Sequence, residues 1–236
     1  KRVLLLDADA GLANIDVILG IAPVYNLYHV LCGEKALPEV IVDGPGGMRI
    51  LPSTSGIGEM AELTKGHKFT LLEELERMDE RIDFMLIDTA AGIGGNVMYF
   101  NMAAKEVVVV ASAEPTSLTD AYALIKILHR DYGTQRFMLL ANMVRDSSEA
   151  KSVYLRLNNA TNHFLGFPVE YLGCIPHDRN VATAVRKQRL FVEAFPDSKA
   201  AVSMVEVVGK LYRRQPEDYE NGTIKFFNRS IMRKNG

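Results

Sequence analysis

Short apolar runs alternate along the chain with longer stretches in which apolar positions recur every three or four residues. This alternation predicts a doubly wound α/β fold, a mostly parallel sheet flanked by helices. The runs place strands over 2–6, 48–51, 84–87, 106–111, 137–141 and 169–175. Between them the helical pattern covers 69–78, 117–132, 149–164, 180–188 and 198–213. No internal repeat and no low-complexity linker interrupts the pattern before Gln215, so 1–214 reads as a single domain. The stretch 215–223 is polar and structure-breaking and reads as a linker. Apolar content then resumes over 224–234, which contains no acidic residue.

Composition narrows the class. The 236 residues, 48% of them hydrophobic, suffice for one large α/β domain. A formal net charge of −2 exerts no global pull on nucleic acid. Cys32 and Cys174 fit no metal-ligand spacing, and the expectation is a reduced, cytoplasmic protein without a secretory signal. No apolar run approaches the roughly 18 residues of a membrane-spanning helix. The five histidines form no metal pattern.

The first strand, Val3-Leu4-Leu5-Leu6, runs into Asp7-Ala8-Asp9. Two carboxylates at the carboxyl end of a buried parallel strand lie where open α/β sheets hold ligands, and in a continued strand they point the same way. They suit Mg²⁺, which takes one or two acids plus water and phosphate oxygens. They equally suit a turn and cap into the next helix. A third acid, Asp88, follows Phe84-Met85-Leu86-Ile87 in a Walker B arrangement and precedes the glycine-rich Gly92-Ile93-Gly94-Gly95. In Glu114-Pro115-Thr116-Ser117-Leu118-Thr119-Asp120 a local account suffices: Ser117 caps a helix and Asp120 completes a capping box.

Five segments in order, 7–16, 44–52, 87–93, 114–122 and 142–145, resemble the MinD/ParA-type ATPases, and within them the flagellar-number regulators of the FlhG (FleN/YlxH) type. The resemblance extends through about Arg213. The family's leading strand, its deviant Walker A loop and its first helix have no counterpart ahead of Asp7, which implies a fragment of a longer ATPase with little activity of its own, the competing reading being a nucleotide-blind paralogue. Because that strand is central in the family sheet, its two neighbours are expected to lack partners for their backbone groups. Where the flagellar regulators usually carry Leu, Ala10 stands here.

Carried over by residue, the resemblance implies that Asp9 positions the attacking water, while Asp7 and Asp88 serve Mg²⁺. It implies that ATP is read at the adenine by Asn142, Arg145, Pro176 and Asp178. An amide can address a purine edge and a guanidinium can stack on its face. Their plainer roles are a strand-end turn former for Asn142 and a solvated helix start for Arg145. On a helical wheel Ile224, Phe227 and Ile231 share one face with Lys225 and Arg229 mostly opposite, a pattern for an anionic membrane surface, a docked terminal helix or a disordered tail. The family tail favours the membrane.

The implied activity is ATP hydrolysis by an ATP-dependent homodimer that associates reversibly with the inner face of the cell membrane and regulates flagellar number or placement. Its partners would be the flagellar GTPase FlhF, motor-ring proteins or a flagellar transcription regulator. The alternatives are a non-hydrolytic antiactivator and a ParA-like DNA-partitioning ATPase, with nucleic acid the weaker expectation. Iron–sulfur relatives of this fold are excluded, since no cysteine follows Asp88 in the second switch segment.

Overall fold

A computed structural model of the chain describes residues 1–9, 13–53, 60, 62–78 and 82–214. The ladders form two sheets rather than one, and the chain divides into two compact units, Lys1–Ala104 and Lys105–Asn221. Each sheet gathers its own core. The expected linker over 215–223 and helix over 224–234 lie outside the described residues.

In the first unit, β1 (Val3–Asp7) is central, paired in parallel with β3 (Arg49–Leu51) on one side and β4 (Phe84–Asp88) on the other. The two-residue β2 (Val42–Asp43) adds antiparallel to β3. Short helices α1 (Ile15–Leu19), α2 (Leu27–Leu31) and α3 (Leu37–Val40) precede β2, and α4 (Lys65–Arg77) and α5 (Gly95–Ala103) flank β4 in sequence. Leu4 and Leu6 of β1 bury against Leu27, Leu37, Leu71 and Phe100 in one cluster. Burying a side chain of this size contributes about 1.5–3 kcal/mol.

The helices of this unit show why several escape a periodicity reading. At four or five residues, α1 to α3 are shorter than any informative window. In α5, Asn96 through Phe100 are buried consecutively, so no polar face marks it as a helix. His29 also finds its place here: its Nδ1 accepts from the Asn26 N–H at 3.3 Å, completing a capping box on α2.

In the second unit, β5 (Val107–Ala111), β6 (Phe137–Val144) and β7 (Glu170–Pro176) are all parallel, with β6 central. The helices are α6 (Pro115–Tyr132), α7 (Ser147–Leu165), α8 (Arg179–Arg186), α9 (Phe191–Ala194) and α10 (Lys199–Arg213). α10 packs so closely on β7 that a Cβ on Gly173 would stand 2.8 Å from Val207 Cγ2. Lys210 Nζ donates to the Leu172 carbonyl at 2.7 Å along the same contact.

Ser117 does not cap a helix. α6 begins two residues earlier, at Pro115, whose fixed φ suits the first helical position. Ser117 Oγ accepts instead from the Ser112 N–H at 3.0 Å, tying the helix to the end of β5.

Among the described residues β4 pairs only with β1, and β5 only with β6. Each is an edge strand with apolar side chains open to solvent: Leu86 is 51% exposed and Val110 54%. Long apolar edges of this kind attract further strands.

Candidate functional site

The carboxyl edge of the first sheet brings Asp7 and Asp88 together, their Cα atoms paired across β1 and β4. The parallel register follows from two apolar runs of equal length, each ending in an acid. Asp7 is only 2% exposed, whereas Asp88 is open to solvent.

The strand does not continue to Asp9 as the alternation argument assumed. β1 ends at Asp7, and the Ala8 N–H still donates to the Asp88 carbonyl at 2.8 Å. Asp9 is then turned back, its N–H donating to Asp7 Oδ1 at 3.2 Å. The other oxygen, Oδ2, accepts from the Ile15 N–H at the start of α1 at 3.4 Å. Thus Asp7 performs the turn-and-cap work that the sequence left open, in addition to any work toward a ligand.

Electrostatics separate this edge from ordinary turn chemistry. Burial pushes the Asp7 carboxyl above its ordinary range, the amides of Ile15 and Asp9 oppose the rise, and the charge of Asp88 adds to it. Asp88 is likewise raised, first by desolvation and then by the charge of Asp9. Asp88 thus acts on Asp7, and Asp9 on Asp88, as a like charge whose effect a bound cation would relieve.

Among the described residues no three of His, Cys, Asp or Glu stand close enough to hold a metal ion between them. The edge instead offers one or two carboxylates, the protein share of a typical Mg²⁺ site completed by phosphate and water.

The carboxyl edge of the second sheet brings together Asn142, Arg145, Pro176 and Asp178, through β6 and β7. β6 runs three residues past the expected end at 141, through a bulge in which Met143 adopts φ 56°. Asn142 Oδ1 accepts from the Met143 N–H at 2.9 Å, so the amide's acceptor supports this turn. Its Nδ2 has no protein partner among the described residues. Pro176 ends β7 opposite Val144, and the His177 N–H donates to the Val144 carbonyl at 2.8 Å.

Asp178 has a structural task that the sequence reading missed. Oδ1 caps α8 through the Asn180 N–H at 2.9 Å, and Oδ2 accepts from the Ala200 N–H of α10 at 3.3 Å. The Asn180 amide, followed by those of Ala200 and Lys199 and the Ser198 hydroxyl, outweighs desolvation and holds this carboxyl below its ordinary range.

Glu149 also went unnoticed, although its signal was present: Asp146-x-x-Glu149 is a capping signature, and Arg145 stands four residues before Glu149. Glu149 Oε1 accepts from Arg145 Nε at 2.8 Å beside a cavity of about 300 Å³ lined also by Ser148, Ser152 and Arg156. Of the expected site residues, Ile224, Lys225, Phe227, Arg229 and Ile231 lie outside the described residues. Cys32 and Cys174 are free thiols, and no described helix is long and apolar enough to cross a membrane.

The chain is similar to several known proteins. The family model of an AAA domain matches residues 1–136. The antiactivator FleN of Pseudomonas aeruginosa is 43% identical over 227 residues, 96% of this chain and 81% of that protein. The flagellum site-determining protein YlxH of Helicobacter pylori is 31% identical over 235 residues, 98% of this chain and 79% of that protein. In fold, the chain is similar to the septum site-determining protein MinD of Pyrococcus horikoshii, solved with Mg-ADP. The TM-score is 0.71 at 22% identity, covering 89% of this chain and 83% of that one.

Proposed function

Because the chain belongs to the MinD/ParA-type ATPases, in the group that includes FleN and YlxH, we propose that it is part of an ATP-driven switch that regulates flagellar number or placement. The observation that carries this reading is the in-register pair Asp7 and Asp88, with Asp9 beside them. Burial raises the proton affinity of Asp7 and Asp88, and the neighbouring acid adds to each rise. The donor set fits Mg²⁺: hard carboxylate oxygens at a strand end, one of them on an exposed side chain.

In this reading Asp7 and Asp88 would hold Mg²⁺, with the Asp7 oxygens also engaged by the amides of Asp9 and Ile15. Asp9 orients the attacking water. The ion, when bound, neutralises charge on the phosphates. Asn142 offers its free amide N–H groups to the adenine, Arg145 its guanidinium plane, and Pro176 and Asp178 shape the turn beneath the base. ATP joins two copies, and the 224–234 segment then carries the dimer reversibly to an anionic membrane surface at the inner face of the cell membrane.

A second reading is favoured by the 43% identity to a protein named an antiactivator. In it the chain restrains a flagellar transcription regulator, with nucleotide setting only its shape. The two readings part at Asp9. In the protein as encoded in full, Asp9→Ala is expected to cut hydrolysis roughly 100-fold or more while ATP-dependent dimers persist. Undiminished turnover would refute the role of Asp9 in hydrolysis. Full restraint of the transcription regulator by the same variant would favour the antiactivator.

A further inference from the structure

Between the end of β6 and the start of α7 one carboxylate organises the passage. Glu149 lies in the first turn of α7 with its side chain 16% exposed, whereas Arg145, ahead of the helix, is 82% exposed. Glu149 Oε2 accepts from the Arg145 backbone N–H at 2.7 Å, and Oε1 accepts from Arg145 Nε at 2.8 Å. A glutamate at this position of a capping box reaches back to the amide of the N-cap residue. Here it reaches one residue further, while the N-cap Asp146 closes the turn itself by accepting from the Glu149 N–H at 2.9 Å.

Such a hold on a solvent-facing arginine adds little stability, because exposed ion pairs gain little and side-chain ordering costs entropy. Its consequence lies in orientation. With Nε committed to Glu149, the guanidinium plane is fixed while its two Nη groups and its faces remain available at the cavity edge. Three residues upstream, Asn142 keeps its Nδ2 free after committing Oδ1 to Met143. Both groups stand at the carboxyl edge of one sheet, where a ligand meets preordered donors.

We propose that Glu149 is a positioning residue that presents Arg145 to the purine of a bound nucleotide, and that its effect on binding passes through Arg145. This inference rests on the nucleotide-switch reading above. A preordered arginine spares the ligand the cost of immobilising it, which sets the expected size of the effect.

Titration of the protein as encoded in full with methylanthraniloyl-ATP and Mg²⁺ tests the proposal on four proteins: wild type, Arg145→Ala, Glu149→Gln and the double variant. Glutamine has one carbonyl oxygen, so it can retain the contact to the Arg145 amide but not accept from Nε as well. Glu149→Gln is expected to weaken binding about three- to tenfold. Arg145→Ala should weaken it at least as much, and the double variant no further than Arg145→Ala alone. The melting temperature of Glu149→Gln should stay close to that of wild type. A loss from Glu149→Gln that recurs in full in the Arg145→Ala background would overturn the proposal, as would tight binding by Arg145→Ala. Wild type that takes no methylanthraniloyl-ATP would instead overturn the nucleotide reading itself.

Discussion

Asp7 and Asp88, at the carboxyl edge of the first sheet, hold their protons more tightly than ordinary carboxylates, whereas Asp178, at the same edge of the second sheet, holds its proton less tightly. The difference lies in what faces each group. Asp178 meets the amides of two helix N-termini, so its charge is welcome. Asp7 is buried, and Asp7 and Asp88 meet other acids, so their charges are costly. The first edge has stored an electrostatic imbalance that a cation can discharge, while the second has spent an acid on architecture and left an amide and a guanidinium for a ligand.

Kinetics should separate the two edges most widely. In the protein as encoded in full, Asp9→Ala is expected to remove turnover, as above, with nucleotide affinity nearly intact. Asn142→Ala should do the reverse, weakening affinity by about 1–2 kcal/mol, roughly five- to thirtyfold, with turnover near normal at saturating ATP. Equal losses of kcat in both variants would erase the distinction.

Stability offers a second division. Asp178→Ala should lower the melting temperature by several degrees, and Asp178→Asn by less, since the amide keeps one acceptor for the Asn180 N–H. The lowered proton affinity of Asp178 stabilises the fold above the ordinary carboxylate value, and that contribution disappears as pH falls through its own lower value. Asp7 and Asp88 act in the opposite sense: stability falls as pH rises from the ordinary carboxylate value through their raised ones. Urea midpoints of Asp178→Ala across the acid range should therefore depend less on pH than those of wild type.

The smallest effect is expected at Asp88. Asp88→Asn removes one of the crowded charges and should raise stability at pH 7 by well under about 1 kcal/mol, because the side chain is open to solvent. Chemical denaturation would record the gain, and a clear loss of stability would mean that Asp88 has a structural task like that of Asp178.

The two-residue β2 is too short to register in patterning, but the other six strands were legible as compact apolar runs, and five of these end within one residue of their expected limits. The exception, β6, runs on through a bulge at Met143, since a residue in the left-handed region leaves no mark in hydrophobic patterning. Helices were legible where a polar face alternated with a buried one, as in α7 and α10, and invisible in α5, which is buried along most of its length. The acids Asp7, Asp9 and Asp88 stood out by position at strand ends. What patterning could not reveal was how their oxygens are shared: Asp7 with two amides, Asp178 with the starts of α8 and α10. The Ser117 cap failed for a related reason. Pro115 offered an earlier helix start that the Ser-x-x-Asp signature does not weigh.

Carboxyl-carbon NMR of Asp7 and Asp88, titrated in the protein as encoded in full before and after addition of Mg²⁺ and ADP, tests the central claim most directly. Without the additions both should titrate above the ordinary carboxylate range, and with them both should move down toward or below it. Ordinary values in the free protein, unchanged by Mg²⁺ and ADP, would contradict the account of this edge as the cation side of a nucleotide switch.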